Sequence, residues 1–354
     1  MSKIKIFLGA FVNYTNAQNL NCLALAKHLD KSKYDVMTGI GYSGDLPIET
    51  IPGVTYLKMR YPARIWRPLC FIYGMLWSNI AYLPTPMHWR LCRFLLRVFR
   101  KKAFKTIEAM MIGTNLSKMT DQGLSINEIR DSLNYTGHTY SITRAMRDVN
   151  GEKIGLKSED HILYLGTEYQ KFHNDVPRQA LTDIAIIGGN LFYKGIEDFF
   201  HLAAAFSELN FHVIGSGMGK VDFPHEIEKR NLKNLKWHGS ESHEQMKETL
   251  KGIQLHVFPS RAEGFPKVIL ETAAAGVPSV VYDDYGANEW ITSGKNGFVV
   301  KSVDDMITVI QDLLDHPEKL QPLADNAREL AKSFDWKVRI KDWEKVIDLI
   351  VTEK

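Results

Sequence analysis

A chain of 354 residues with 45% apolar, 24% charged and 11% aromatic residues is neither disordered nor collagen-like, and it is too long for one average core, so two domains are expected. Three cysteines (Cys22, Cys70, Cys92) with no C-x-x-C spacing support neither a disulfide framework nor a zinc knuckle, and they fit a reduced, cytosolic compartment. The net charge of +3 is unevenly spread: residues 51–107 hold no Asp or Glu and 11 of the 44 Lys and Arg, leaving 33 positive against 41 negative charges elsewhere. A basic block in an otherwise acidic chain points to an anionic surface or ligand, not to a coat of nucleic acid.

Residues 4–10 read as a buried first strand. They are not the core of a signal peptide, because the apolar run after Lys3 and Lys5 is short and no A-x-A-type site follows it. Helical spacing follows over 19–29, then strands over 34–38 and 54–57. The longest apolar run, 69–83, is interrupted by Ser78 and Asn79 and falls short of the roughly 20 residues that span a bilayer. Residues 88–105 read as an amphipathic helix. Arg90, Arg93, Arg97, Arg100 and Lys101 recur at steps of three and four beside Leu91, Phe94, Leu95 and Val98. With Trp66, Tyr73, Trp77 and Tyr82 upstream, this is the pattern of a helix lying on an anionic membrane surface, where the first domain is expected to dock.

Beyond it, 139–143 and 162–165 are strand-like, and the polar stretch 173–181, with Pro177, reads as a linker. In the second half, strands over 184–187, 211–214, 253–258, 279–282 and 297–300 alternate with helices over 195–207, 243–251, 265–275 and 303–315. The alternation argues for an α/β chain of two doubly wound, Rossmann-like domains, each a parallel sheet covered on both faces, facing a central cleft.

The densest run, Phe258 to Glu271, leaves a buried strand and opens a helix. Gly264 lets backbone approach a ligand closely, Pro266 suits a first helical turn, and the free amides at a helix start form an anion site. Glu263 and Glu271 flank that start. Carboxylates there repel phosphate unless each bonds hydroxyls, as on a sugar and a ribose, so the run reads as a nucleotide-sugar site.

The segment resembles family 4 retaining glycosyltransferases of GT-B fold. Glu263 and Glu271 match the family's E-x7-E motif, and the resemblance continues through Ala273-Ala274-Ala275-Gly276-Val277-Pro278, Gly286-Ala287-Asn288-Glu289 and Asn296-Gly297-Phe298. Gly166 to Phe172, Gly189-Asn190-Leu191 with Lys194-Gly195, Gly215-Ser216-Gly217 and Phe334-Asp335-Trp336 look like further family segments. The resemblance implies an acceptor-binding domain over 1–172, a linker over 173–181, a nucleotide-sugar domain over 182–333 and a final helix over 334–354 that crosses back to the first domain. It also implies that Glu271 accepts from the ribose hydroxyls and that Glu263 holds the transferred sugar. Asn190, Gly264, Phe265, Pro266, Lys267 and Val268 would line the donor, with backbone amides on its diphosphate, and Lys194 would neutralise the leaving group. The implied enzyme is retaining and needs no metal or cofactor; the chain contains no D-x-D triplet. Its donor would be UDP-linked by family frequency. Its acceptor would be a glycan or lipid-linked acceptor in surface polysaccharide assembly, reached peripherally at the inner face of the cell membrane.

The chain departs from the family twice. Gly189-Asn190 stands where the family has Arg, and Asn16-Ala17 stands in place of the Gly-Gly phosphate loop. Phosphate charge is then left to Lys194 with Lys267 or Arg261. The alternatives are a catalytically silent partner protein of the same fold, or a nucleotide-sugar epimerase. Gly215-x-Gly217-x-Gly219 ends on Lys220 and not on the last glycine of a dinucleotide fingerprint, and His238 and His243 have no metal-ligand spacing.

Overall fold

Strands that are apolar along most of their length need cover on both faces, and both halves of the chain answer that need in the same way. The computed structural model describes residues 3–48, 50–85 and 88–353. It divides into two compact units, residues 1–165 with 336–354, and residues 166–335.

The first unit runs β1 (Ile4–Phe11), α1 (Ala17–His28), β2 (Tyr34–Ile40), β3 (Val54–Lys58), α2 (Ala63–Trp77), β4 (Ile80–Tyr82), α3 (Trp89–Val98), β5 (Lys102–Ile107), α4 (Gly113–Asp121), α5 (Ile126–Leu133), β6 (Gly137–Ser141) and α6 (Arg144–Ile154). Its six parallel strands lie in the order β3-β2-β1-β4-β5-β6. The second unit runs α7 (Tyr169–Phe172), β7 (Asp183–Gly188), α8 (Ile196–Ala205), β8 (Asn210–Gly215), α9 (Phe223–Lys229), β9 (Leu235–Gly239), α10 (His243–Thr249), β10 (Leu255–Phe258), α11 (Lys267–Ala274), β11 (Ser279–Tyr282), β12 (Gly297–Val300), α12 (Val303–Asp315) and α13 (Leu320–Ser333). Its order, β12-β11-β10-β7-β8-β9, is the same winding. In each sheet the order reverses beside the first strand, between β1 and β4 and between β7 and β10, and ligands bind at the carboxyl ends of strands at such a point.

The last helix, α14 (Trp336–Thr352), belongs to the first unit. Trp343, fully buried, lies against Tyr82 and Phe104, and its Nε1 donates to the Tyr164 carbonyl at 3.1 Å. Tyr34 adds a hydroxyl bond of 2.7 Å to Asp348.

Several sequence expectations are corrected. The helix expected over 88–105 stops at Val98. Arg100 takes the left-handed conformation (φ 48°), and 102–107 form an inner strand of the sheet. Its lysines point two ways. Lys102 donates to the Ile350 and Val351 carbonyls at the end of α14, whereas Lys105 is buried over the Tyr135 ring with its Nζ 3.3 Å from the Ser132 carbonyl. Residues 162–165 form no ladder strand; Leu163 N bonds the Ser141 carbonyl at the end of β6.

The segment 173–181, expected as a linker, is built into the second unit. Buried Arg178 donates to the carbonyls of Leu250, Lys251 and Ala275, and Arg328 donates to those of Asn174 and Val176. A polar stretch reads as solvated in sequence, but here its arginine serves carbonyls at the ends of α10 and α11 that would otherwise lack donors. α2, to which the sequence reading assigns no element, carries Pro68 inside it. Gly74 of the same helix is a close-approach residue: a Cβ there would meet the Phe7 ring of β1 at 2.4 Å.

Candidate functional site

The loops that leave the carboxyl ends of the second unit's parallel strands lie on one edge of the sheet, and those after β7 and β10 meet at the reversal point. The chain leaves β7 through Asn190, itself in the left-handed region (φ 56°), into a 3-10 turn over Leu191–Lys194. Gly195 follows at φ +78°, and a Cβ there would lie 2.2 Å from the Pro259 carbonyl, so only glycine lets the two loops touch.

The contact brings Lys194 to Glu263. Lys194 Nζ lies 2.6 Å from Glu263 Oε1, and the Ser260 hydroxyl donates to the same oxygen at 2.7 Å. The ammonium also lies over the Phe258 ring, 5.0 Å from its centroid. Both members of the pair are partly buried, which screens them less than a surface pair. Glu263 Oε2 accepts no hydrogen bond among the described residues, and one lysine proton is used on Glu263, leaving two donors.

α11 begins at Lys267, two residues later than the sequence suggests, with Pro266 as N-cap and no side-chain cap on its first turn. That start presents amide N–H groups and the positive end of a dipole. Glu271 is the fifth residue of α11 and partly buried. Desolvation pushes its carboxyl up to about 6, against the pull of Lys267 and Lys171. No hydrogen bond holds it among the described residues. Phe265, ahead of the helix, packs between the rings of Trp290 and Phe334.

The structure thus brings Lys194, Glu263 and the Gly264–Val268 segment to one strand edge, with Glu271 one turn into the following helix. Asn190 shares the β7 loop, and its buried Oδ1 has no hydrogen-bond partner among the described residues. Sequence reasoning passed over Ser260, fully buried and fixing Glu263, and Lys171, which faces Glu271 and bonds His243 Nδ1 at 2.7 Å. A serine between a strand end and an acidic residue was the one signal for Ser260; Lys171 left none, being some hundred residues away in sequence. Arg261, considered for phosphate, is engaged with Asp284 at 3.0 Å and stacks on Tyr282.

In the first unit, Asn16 is the N-cap of α1, its Oδ1 accepting the Asn19 amide at 3.1 Å, and Ala17 is the first helical residue. Asn16 lines a cavity of about 260 Å³ at the end of β1, together with Gly9, Phe11, Asn19 and Arg67. The basic stripe is divided. Arg90 and Arg93 pair with Glu128 and Asp131 of α5, and Lys101 caps carbonyls at the end of α2, while Arg97 and Arg100 stay exposed.

Two Rossmann-like units in one chain, each with this strand order, make the fold GT-B. Solved structures of like fold include sucrose-phosphate synthase from Thermosynechococcus elongatus (TM-score 0.80, 15% identity, 99% of this chain and 100% of that one) and Anabaena HepE in complex with UDP (TM-score 0.78, 15% identity, 98% and 100%). Residues 170–330, just under half of the chain, match the family model described as glycosyl transferases group 1. An N,N'-diacetylbacillosaminyl-diphospho-undecaprenol alpha-1,3-N-acetylgalactosaminyltransferase of Campylobacter jejuni is 27% identical over 171 residues, 48% of this chain and 45% of that protein. The matches span less than half the length of such curated relatives.

Proposed function

We propose that the chain is a retaining glycosyltransferase that moves a sugar from a UDP-linked donor to a glycan or lipid-linked acceptor in surface polysaccharide assembly. The observation that carries this reading is the Lys194–Glu263 pair at the reversal point of the second sheet, beside an uncapped helix start. It lies inside the stretch that matches group 1 glycosyl transferases, and a GT-B relative of like fold was solved with UDP.

In this reading Glu271 accepts from both ribose hydroxyls, the first-turn amides of α11 hold the diphosphate, and Glu263 Oε2 accepts from the transferred sugar. The bond between the sugar C1 and the diphosphate oxygen breaks, and the electron pair leaves with UDP. The two remaining donors of Lys194 meet that developing charge in a preorganised site. The acceptor oxygen bonds C1 on the face the leaving group departs from, and its proton passes to the diphosphate. No metal ion is called for. The first unit takes the acceptor, and the protein works peripherally at the inner face of the cell membrane.

The test is incubation with a panel of UDP-sugars. Selective release of UDP, raised by an added acceptor and with the anomeric configuration kept in the product, supports the reading. Tight UDP binding without turnover on any donor would point instead to a silent binding protein.

A further inference from the structure

Helix α2 has no charged or amide side chain from Pro68 to Trp77. A helix apolar all round belongs in a core or against lipid, yet only half of this one is covered. Cys70, Phe71, Gly74 and Met75 face inward, whereas Ile65 (52% exposed), Leu69 (47%), Tyr73 (56%) and Leu76 (40%) form an open ridge at steps of four, four and three. Exposed Phe94, Val98 and Phe99 on and after α3 extend it. The two elements are tied where Lys101 Nζ donates to the Leu76 and Ser78 carbonyls, each at 2.8 Å, which sets Phe99 and Arg100 beside the end of α2.

The charges carried by α2, α3 and the turn after α3 are of one sign. Arg64, Arg97 and Arg100 are exposed around the ridge, and no Asp or Glu occurs between Ile51 and Ile107. Acids of α5 answer Arg90 and Arg93 but leave Arg97 and Arg100 to solvent. A second copy seated by two-fold symmetry would set this rim against itself, like charge on like.

We propose that the α2 ridge inserts into an anionic lipid bilayer, with Ile65, Leu69, Tyr73 and Leu76 below the headgroups and Arg64, Arg97 and Arg100 on lipid phosphates. The element that enters the membrane is then α2, and the stripe of α3 supplies rim charge. An aromatic hydroxyl such as that of Tyr73 suits the headgroup level, and the long arginines reach back to it. The proposal deepens the peripheral placement given above but stands on the surface of α2 and the end of α3 and uses no residue of the donor site, so vesicle binding and sugar transfer are read separately.

The test is flotation of the full chain with phosphatidylcholine vesicles containing about 30% phosphatidylglycerol, against pure phosphatidylcholine. Binding to the anionic vesicles alone is expected, with at least a tenfold loss in Leu69→Ser/Tyr73→Ser. A loss of about fivefold per charge is expected in Arg97→Glu/Arg100→Glu. Both variants change exposed side chains, and an unchanged Tm and UDP affinity confirm that they fold. Vesicle binding that survives Leu69→Ser/Tyr73→Ser overturns the proposal. So does a wild-type dimer in sedimentation velocity that ignores vesicles and separates in that variant, since the ridge is then covered by a second copy.

Discussion

Lys194 and Glu263 meet at 2.6 Å across β7 and β10, the two strands at which the order of the second sheet reverses. In the proposed reading the pair divides the labour of a donor site: Lys194 faces phosphate and Glu263 faces hydroxyls. Lys194→Ala is expected to lower kcat for sugar transfer by about 10²–10³-fold, the usual cost of losing a group aimed at developing charge. UDP affinity should change far less. Steady-state kinetics beside calorimetry separates the two.

Glu271 gives the site a pH signature with two opposite signs. Its folded pKa, pushed up to about 6 by desolvation, lies above the ordinary carboxyl value, so the folded protein holds the proton more tightly than the unfolded chain. Its contribution to stability is full below the unfolded value and is lost as pH rises through about 6. In the proposed reading nucleotide binding draws on the ionised form and should strengthen over the same range. Tm and UDP affinity measured across that window should move in opposite directions, and both dependences should vanish in Glu271→Gln.

Gly195 and Gly189 offer a matched pair in one loop. Gly195→Ala places a Cβ 2.2 Å from the Pro259 carbonyl at φ +78°, whereas a Cβ on Gly189 meets nothing within 4 Å. Urea unfolding should show Gly195→Ala destabilised by about 1–3 kcal/mol. Gly189→Ala should stay within about 0.5 kcal/mol of the parent.

Lys105 is buried in the first unit, and desolvation holds its amine down to about 7 despite the pull of Glu108. The unfolded chain therefore binds more protons between about 7 and the ordinary lysine value, and stability should rise with pH through that window. Lys105→Met should remove the rise and leave the fold more stable at neutral pH, by about 1–3 kcal/mol for an amine no longer buried on one long bond. Thermal denaturation at several pH values checks both.

The second unit was the more legible half because its signals are local. Ile184, Ile186 and Val257 sit in short apolar runs bounded by Gly188 and Pro259, and α12 begins at a Ser302 capping box. In the first unit, long-range packing overrode local pattern. Lys105 reads as one more charge on a basic helix, and only the sheet around Phe104 makes it a strand residue. Pro68 speaks against α2, which the contact of Gly74 with Phe7 nonetheless holds in place. At the site, Glu263, Glu271 and Lys194 could be read from their motifs. Ser260, Lys171 and the Arg178 anchor could not, because their partners are distant in sequence or are backbone carbonyls.

The most direct measurement is calorimetric binding of UDP and of 2',3'-dideoxy-UDP to the parent and to Glu271→Gln at about pH 7.5, where the carboxyl is ionised. Removing the two ribose hydroxyls should weaken binding to the parent by about tenfold or more, roughly 1.4 kcal/mol, and should cost Glu271→Gln almost nothing. An equal penalty in both proteins, or none in the parent, would contradict the assignment of this carboxylate to the ribose and with it the donor site.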